Sequence, residues 1–287
     1  MEEYVAIQEG RMQDALSSPK DIVEIVNRRG LDIIDPRNHH RTVKNVSKGI
    51  WNRDVMEDFV SAKMVEQCIF MCLKYYRTDQ WKQKDYDGHD YRALMQTPYV
   101  DRFAYDGMTS IYTTLKQWNM NSRGARLKDE SIFRANLLAA RTLIDRLGSY
   151  RFVDWSVEVK TKEISKIVQQ IFATLELTEN SKFVTLSKTL HFLHPQLMIP
   201  MDRSYTANYF HDFRLPDVPT DKNKQAEWNI AFHKELCKVY LLHKAMIDDI
   251  SLETRYPVTK LMDNLLIGFF MYRDIYIRKF TPLFISK

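Results

Sequence analysis

The chain has 287 residues, of which 45% are hydrophobic, so it can bury a substantial core in one large domain or two packed lobes. Only 8 Gly and 9 Pro are present, a scarcity that argues against turn-dense β-sandwiches or barrels and against glycine-rich phosphate loops. The 42 Lys and Arg outnumber the 37 Asp and Glu by five, which permits a polyanionic partner without demanding one.

The first fourteen residues are acidic and polar and lack the apolar core of a signal peptide. Residues 18–31, SPKDIVEIVNRRGL, then suggest a short helix, with Pro19 at its first position and Gly30 where a C-cap falls. DPRNHHRTVKN follows as a loop, so residues 1–53 read as an N-terminal extension with a short helix and a basic loop. From residue 54 to 287 the apolar period is close to that of an α-helix. Val55, Phe59, Ala62, Val65, Ile69, Cys72 and Tyr76 make one stripe, broken by the polar run RTDQWKQKDYDGHDY. Met108, Ile111, Tyr112, Leu115 and Trp118 make a second, and Phe133, Leu137, Ala140, Ile144 and Leu147 a third that ends at Gly148. Ile164, Ile167, Val168, Ile171, Phe172 and Leu175 make the fourth and cleanest.

A helix over 184–194 is expected to turn Leu186, Leu190 and Leu193 inward and to stop near Pro195. Another is expected to begin at Asp202 and run through Tyr205, Tyr209 and Phe210. Trp228, Phe232, Leu236, Val239 and Met246 mark a long helix, and Pro257 to Ile277 is the most apolar segment. No strand pattern or internal repeat emerges. The expected fold is all-α, with roughly eight to eleven helices. No stretch of 18 apolar residues predicts a membrane span. Three cysteines make no disulfide framework, and the odd count suits a reducing compartment, so a cytoplasmic protein is expected. Cys68 and Cys72 share a helical face but lack His or Cys partners at ligand spacing, so they read as core residues, with no metal and no cofactor implied.

Phosphate-loop, dinucleotide, metalloprotease and nucleophile-elbow motifs are all absent. So is an Arg followed four to six residues later by His, a spacing associated with helical ribonucleases. Chemistry therefore centres on FVTLSKTLHFLHPQLMIPMDRSYTANYF, residues 183–210. Ser187, Lys188, His191 and His194 fall beside the leucine face of the first helix. Asp202 then stands at the start of the next, placed to accept backbone N–H bonds from Ser204 or Tyr205. A fixed carboxylate facing a lysine-bearing helix suits stabilisation of a cationic transition state or orientation of a water. The same residues also suit a plain capped helix with a solvated lysine.

The pattern resembles the core of the helix-hairpin-helix DNA glycosylase superfamily. There a lysine-bearing helix is followed by a connector and an aspartate that starts the next helix. S-K-T-L at 187–190 matches the first step and I-P-M-D at 199–202 the second. PVTKLMDNLLIGFF, 257–270, and WNMNSRGARL, 118–127, are similar to segments of uncharacterised bacterial and phage-related relatives, giving about 50 residues of resemblance. The resemblance implies a two-lobed domain acting on double-stranded DNA as a monomer. It assigns the essential carboxylate to Asp202 and the lysine position of the bifunctional members to Lys188. It further implies release of a flipped, modified base, such as a bulky phage-type cytosine in a defence role. The family's glycine hairpin is here ENSKFVTLSK, and no four-cysteine cluster follows, so the iron–sulfur branch is excluded.

Trp118, Asn119, Asn121, Arg123 and Arg126 have the residue types for wedging, base reading and phosphate contact, and equally those of a capped turn. Ser187, His191 and Arg203 complete the expected substrate-contact set. Positive surface is expected from Arg255, Lys260, Arg273, Arg278, Lys279 and Lys287, and from Arg37, His39, His40, Arg41, Lys44, Lys48 and Arg53. Two other readings stand beside the enzyme: a non-catalytic helical DNA-binding or interaction module, and an RNA-cleaving toxin.

Overall fold

The protein is all-α. A computed structural model describes residues 19–33, 59–76, 89–118, 120, 126–180, 182–202, 205, 206, 209 and 221–285. Helix α1 (Pro19–Arg28) starts on its proline, carries Asp21 in the first turn and ends at Gly30, whose φ of 62° is the left-handed value that favours glycine. Ile22, Ile25 and Val26 are buried beneath it. Arg29 locks its end in place, meeting Glu66 at 2.8 Å, Glu253 at 2.5 Å and Asp249 at 2.5 Å. The short helix of the N-terminal extension is thus clasped to the main body.

Helix α2 (Ala62–Met71) is capped by Ser61, which accepts from the Met64 N–H at 3.4 Å, and continues into a π-type turn over Cys72–Tyr76. Three helices follow: α3 (His89–Gln96), α4 (Tyr99–Arg102) and α5 (Tyr105–Gln117). The third apolar stripe is divided between α6 (Glu130–Ala139) and α7 (Arg141–Asp145), because the backbone bends at Ala140. Phe133, Leu137, Ile144 and Leu147 stay fully buried on either side of the bend, so the pattern survives although the helix does not. A 3-10 turn at Phe152–Ser156 precedes α8 (Glu158–Thr174). Then come α9 (Phe183–Leu193), α10 (Lys222–Leu242), α11 (Lys244–Thr254) and α12 (Val258–Ile285).

The described residues therefore hold twelve α-helices, more than the apolar stripes imply. Four- and five-residue helices such as α4 and α7 are too short to print a period. An isolated bridge between Leu127 and Thr178 is the β-type pairing among the described residues. It ties the loop after α5 to the segment before α9.

One helix differs from its expected surroundings. All of α9 except Val184 is buried, so it is a central helix and not an amphipathic one. It packs between α5 and α10. Helix α12 lies so close to α2 that a β-carbon at Gly268 would sit 1.8 Å from the Cys68 carbonyl oxygen. Only a glycine permits that approach. Cys68, Cys72 and Cys237 are free, buried thiols in this core, and desolvation pushes the Cys68 and Cys237 thiols up. No helix among the described residues is long and apolar enough to cross a membrane, and no group of three His, Cys, Asp or Glu side chains there is gathered to hold a metal ion.

Candidate active site

The site begins with how the connector after α9 is fastened. The chain turns back on itself through Leu197 and Met198 N–H bonds to the His194 carbonyl, both 3.0 Å. His191 Nδ1–H donates to the Met198 carbonyl at 2.7 Å, and Ser187 Oγ–H donates to the carbonyls of Val184 at 2.9 Å and Met201 at 3.4 Å. From α10, His233 Nε2 accepts the Ile199 N–H at 2.9 Å; just beyond the connector, Thr206 Oγ accepts the Asp202 N–H at 3.1 Å. Met198, Ile199 and Met201 are fully buried. Side chains on both sides thus fix the interval from Lys188 to Asp202. The result is a Lys188 Nζ to Asp202 Oδ2 distance of 3.6 Å.

Around this pair lies a closed polar cluster. Trp118, the C-cap of α5, offers its ring to two ammonium groups, Lys188 Nζ at 5.1 Å and Lys260 Nζ at 5.2 Å from the centroid. Tyr91 and Phe192 hold the indole, with centroid distances of 5.5 and 4.9 Å. Lys260 in turn donates to Asp263 Oδ2 at 2.6 Å. Desolvation pushes the Lys188 ammonium down from the usual lysine range, against the raising effects of Asp202 and Asp263, and Lys260 pushes it further down. Asp263 Oδ1 and Trp118 Nε1 are buried without a hydrogen-bond partner among the described residues. An ammonium beside a partly exposed carboxylate can hold an anionic substrate group while the carboxylate faces a developing cation or a water.

The structure brings Asp202, Lys188 and Trp118 together. Trp118 is 6% exposed, so it is the floor of the cluster and not a wedge projecting towards a duplex. Ser187 and His191 are fully buried, and their polar atoms are engaged within the protein. Ser187 secures the connector. His191 Nε2 accepts the Tyr91 hydroxyl at 2.8 Å, so both ring nitrogens are engaged, and desolvation holds the ring neutral with a pKa pushed down to about 3. Arg126 is exposed beside the Leu127–Thr178 bridge, where its carbonyl accepts the Glu179 N–H at 2.8 Å. Asn119, Asn121, Arg123 and Arg203 lie outside the described residues. The helix expected from Asp202 has a π-type turn at Tyr205 and Thr206, and Ser204 also lies outside.

Lys260 corrects a second expectation, because it is buried and ion-paired and contributes nothing to a positive surface. Arg255 is exposed. The 37–53 basic stretch, Lys287 and the side chains of Arg273, Arg278 and Lys279 are not among the described groups. Sequence reasoning missed Lys260 and Asp263 as site residues. The signal was there: K-x-x-D three apart, one turn of helix, inside the most apolar segment of the chain. Charges in such a place have to be paired.

A cleft of about 430 Å³ opens at the C-terminal end of α9, lined by Tyr99, Arg102, Arg151 and His194 among others. Its buried cation is already spent: Arg102 donates to the carbonyls of Met95 at 3.1 Å, Thr97 at 2.8 Å and Phe192 at 2.5 Å. A guanidinium that satisfies the carbonyls at two helix ends is a structural clamp. No family model, curated protein or solved structure matches the chain.

Proposed function

We propose that the protein is a DNA N-glycosylase that releases a modified base by hydrolysis. The observation that carries the reading is the 3.6 Å approach of Lys188 to Asp202, two residues 14 positions apart in sequence. Cleavage of an N-glycosidic bond builds positive charge on the deoxyribose, and a carboxylate beside C1′ stabilises it. Asp202, with a quarter of its side chain exposed, orients the water and takes its proton as oxygen bonds to C1′. The C1′–N electron pair leaves with the base. Lys188 holds a phosphate or the extruded nucleotide, and the enzyme is monofunctional. The two-lobed helix-hairpin-helix architecture, a double-stranded DNA partner and a role against phage with bulky modified cytosines belong to the same proposal and rest on the resemblance.

The test is incubation with phage genomic DNAs that carry different base modifications, followed by alkaline cleavage. Abasic sites on at least one DNA are expected, and none with Asp202→Asn. Tight DNA binding without abasic sites on any substrate would return the non-catalytic module. RNA degradation in the same reactions would return the ribonuclease.

A further inference from the structure

The first turns of α12 carry four polar residues, Thr259, Lys260, Asp263 and Asn264, all buried. Thr259 is spent on the Pro195 carbonyl. The Lys260–Asp263 pair is only half spent. Lys260 Nζ donates to one carboxylate oxygen at 2.6 Å, while the other, Oδ1, is buried and meets no donor among the described residues. An ammonium has three N–H bonds, and one serves Asp263. Beside them the Trp118 indole N–H is buried and also meets no acceptor among the described residues. A buried carboxylate oxygen left unmet is unfavourable, and such atoms in a folded protein ask for an explanation.

The unspent groups are of both kinds, and that restricts the ligand. A phosphate meets a Lys260 already neutralised by Asp263 and is repelled by Oδ1. A cation is repelled by Lys188 and Lys260. A neutral edge with an N–H donor next to an acceptor satisfies both, because Oδ1 and the Lys260 ammonium present acceptor and donor side by side. Bases that carry an exocyclic amino group next to a ring nitrogen have that edge. The imide N–H of thymine or uracil also has an acceptor beside it, but it is flanked by a second carbonyl, whose lone pairs then face the carboxylate.

Building on the glycosylase reading, we propose that Lys260 and Asp263 form the base-reading edge of the site. Asp263 Oδ1 accepts the amino group of an extruded cytosine- or adenine-type base, and Lys260 donates to the ring nitrogen beside it. The base reaches this edge past Asp202, the member of the cluster most open to solvent.

The experiment measures binding of the full chain, at one fixed salt concentration, to four duplexes of one sequence. They carry a single extrahelical cytosine, adenine or thymine, or a tetrahydrofuran abasic spacer. The cytosine and adenine duplexes should bind about five- to a hundredfold tighter than the other two, the range set by a good base-edge contact. Asp263→Asn should bring the four within about twofold. Because that change can unfold the protein by leaving Lys260 buried alone, a second readout uses the wild type. The Trp118 indole N–H resonance, assigned with Trp118→Phe, should move with the cytosine duplex and not with the abasic one. Equal wild-type affinity for all four duplexes, or an unmoved resonance, overturns the inference. Abasic sites on modified DNA without discrimination here would overturn this inference alone. Discrimination with no base release on any DNA would overturn the glycosylase reading alone, and absence of DNA binding would overturn both.

Discussion

Lys182 and Lys188 lie six residues apart at one helix, both buried, and desolvation pushes both ammonium groups down. Their surroundings differ in kind. Lys182 Nζ donates to the Phe172 carbonyl at 3.0 Å and to Glu176 Oε1 at 2.7 Å, and the same carboxylate takes Lys222 at 2.7 Å. Its backbone N–H donates to Gln225 Oε1 at 3.1 Å. That is a closed arrangement that joins α8, α9 and α10. Lys188 stands 3.6 Å from Asp202, longer than a normal hydrogen bond, above an indole ring. Burial and the direction of the pKa therefore do not separate a structural lysine from a chemical one. The two differ in how closely their partners approach, 2.7 Å for Lys182 and 3.6 Å for Lys188.

The largest expected effect falls on the frame that both lysines share. His191, His194 and His233 are buried and neutral, with pKa values pushed down to about 3, 4 and 4 by desolvation. Their unfolded value is 6.5. Between those limits the unfolded chain binds more protons, so stability is full above pH 6.5 and falls as the pH drops towards 4. The loss is on the order of 1 kcal/mol per histidine per pH unit at most. Thermal melts at half-unit steps from pH 7 to 4 check it, and a flat melting temperature across this window would contradict the buried neutral rings.

Asp202→Asn attacks the open lysine's partner. Base release should fall about a hundredfold or more, as for removal of a group that faces transition-state charge. The melting temperature should move by no more than a few degrees, since the asparagine keeps the size and the backbone bonds. Full activity would remove Asp202 from the proposed chemistry.

Lys182→Met attacks the closed one, and the pattern should invert. Stability should drop by about 1–3 kcal/mol, the range for leaving buried polar groups unmet. At this chain length that is roughly 2–4 °C in melting temperature for each kcal/mol. Base release per folded molecule should stay unchanged, and a selective loss of turnover would erase the distinction between the two lysines.

The smallest effect sharpens the role of Lys188 itself. Borohydride added to wild-type protein on abasic duplex DNA should trap no covalent adduct. Desolvation and Lys260 favour the free amine that a nucleophile needs, whereas Asp202 and Asp263 favour the ammonium. A trapped adduct that disappears in Lys188→Gln would make Lys188 the nucleophile and the enzyme bifunctional.

Much of this molecule is written in local sequence. Pro19 and Gly30 bound α1 because each sets a backbone angle by itself. The Ile164 to Phe172 stripe yields α8 because a 3.6-residue period has one helical solution. The residue types and spacing of Lys188 and Asp202 marked the region where they meet. Other features depended on what packs against what. The bend at Ala140 and the burial of α9 on every side follow from neighbours far along the chain, which no local period encodes. The spacing that put Ser187 and His191 on a polar side could not say that the connector folds back to occupy it and takes their hydrogen bonds. Lys260 read as surface charge for the same reason: a lysine's sequence position fixes its helix face, but only the approach of the first turns of α12 to Trp118 decides whether water or an indole covers it. Which donors come near Asp263 Oδ1 is likewise decided by the tertiary structure, and among the described residues none does.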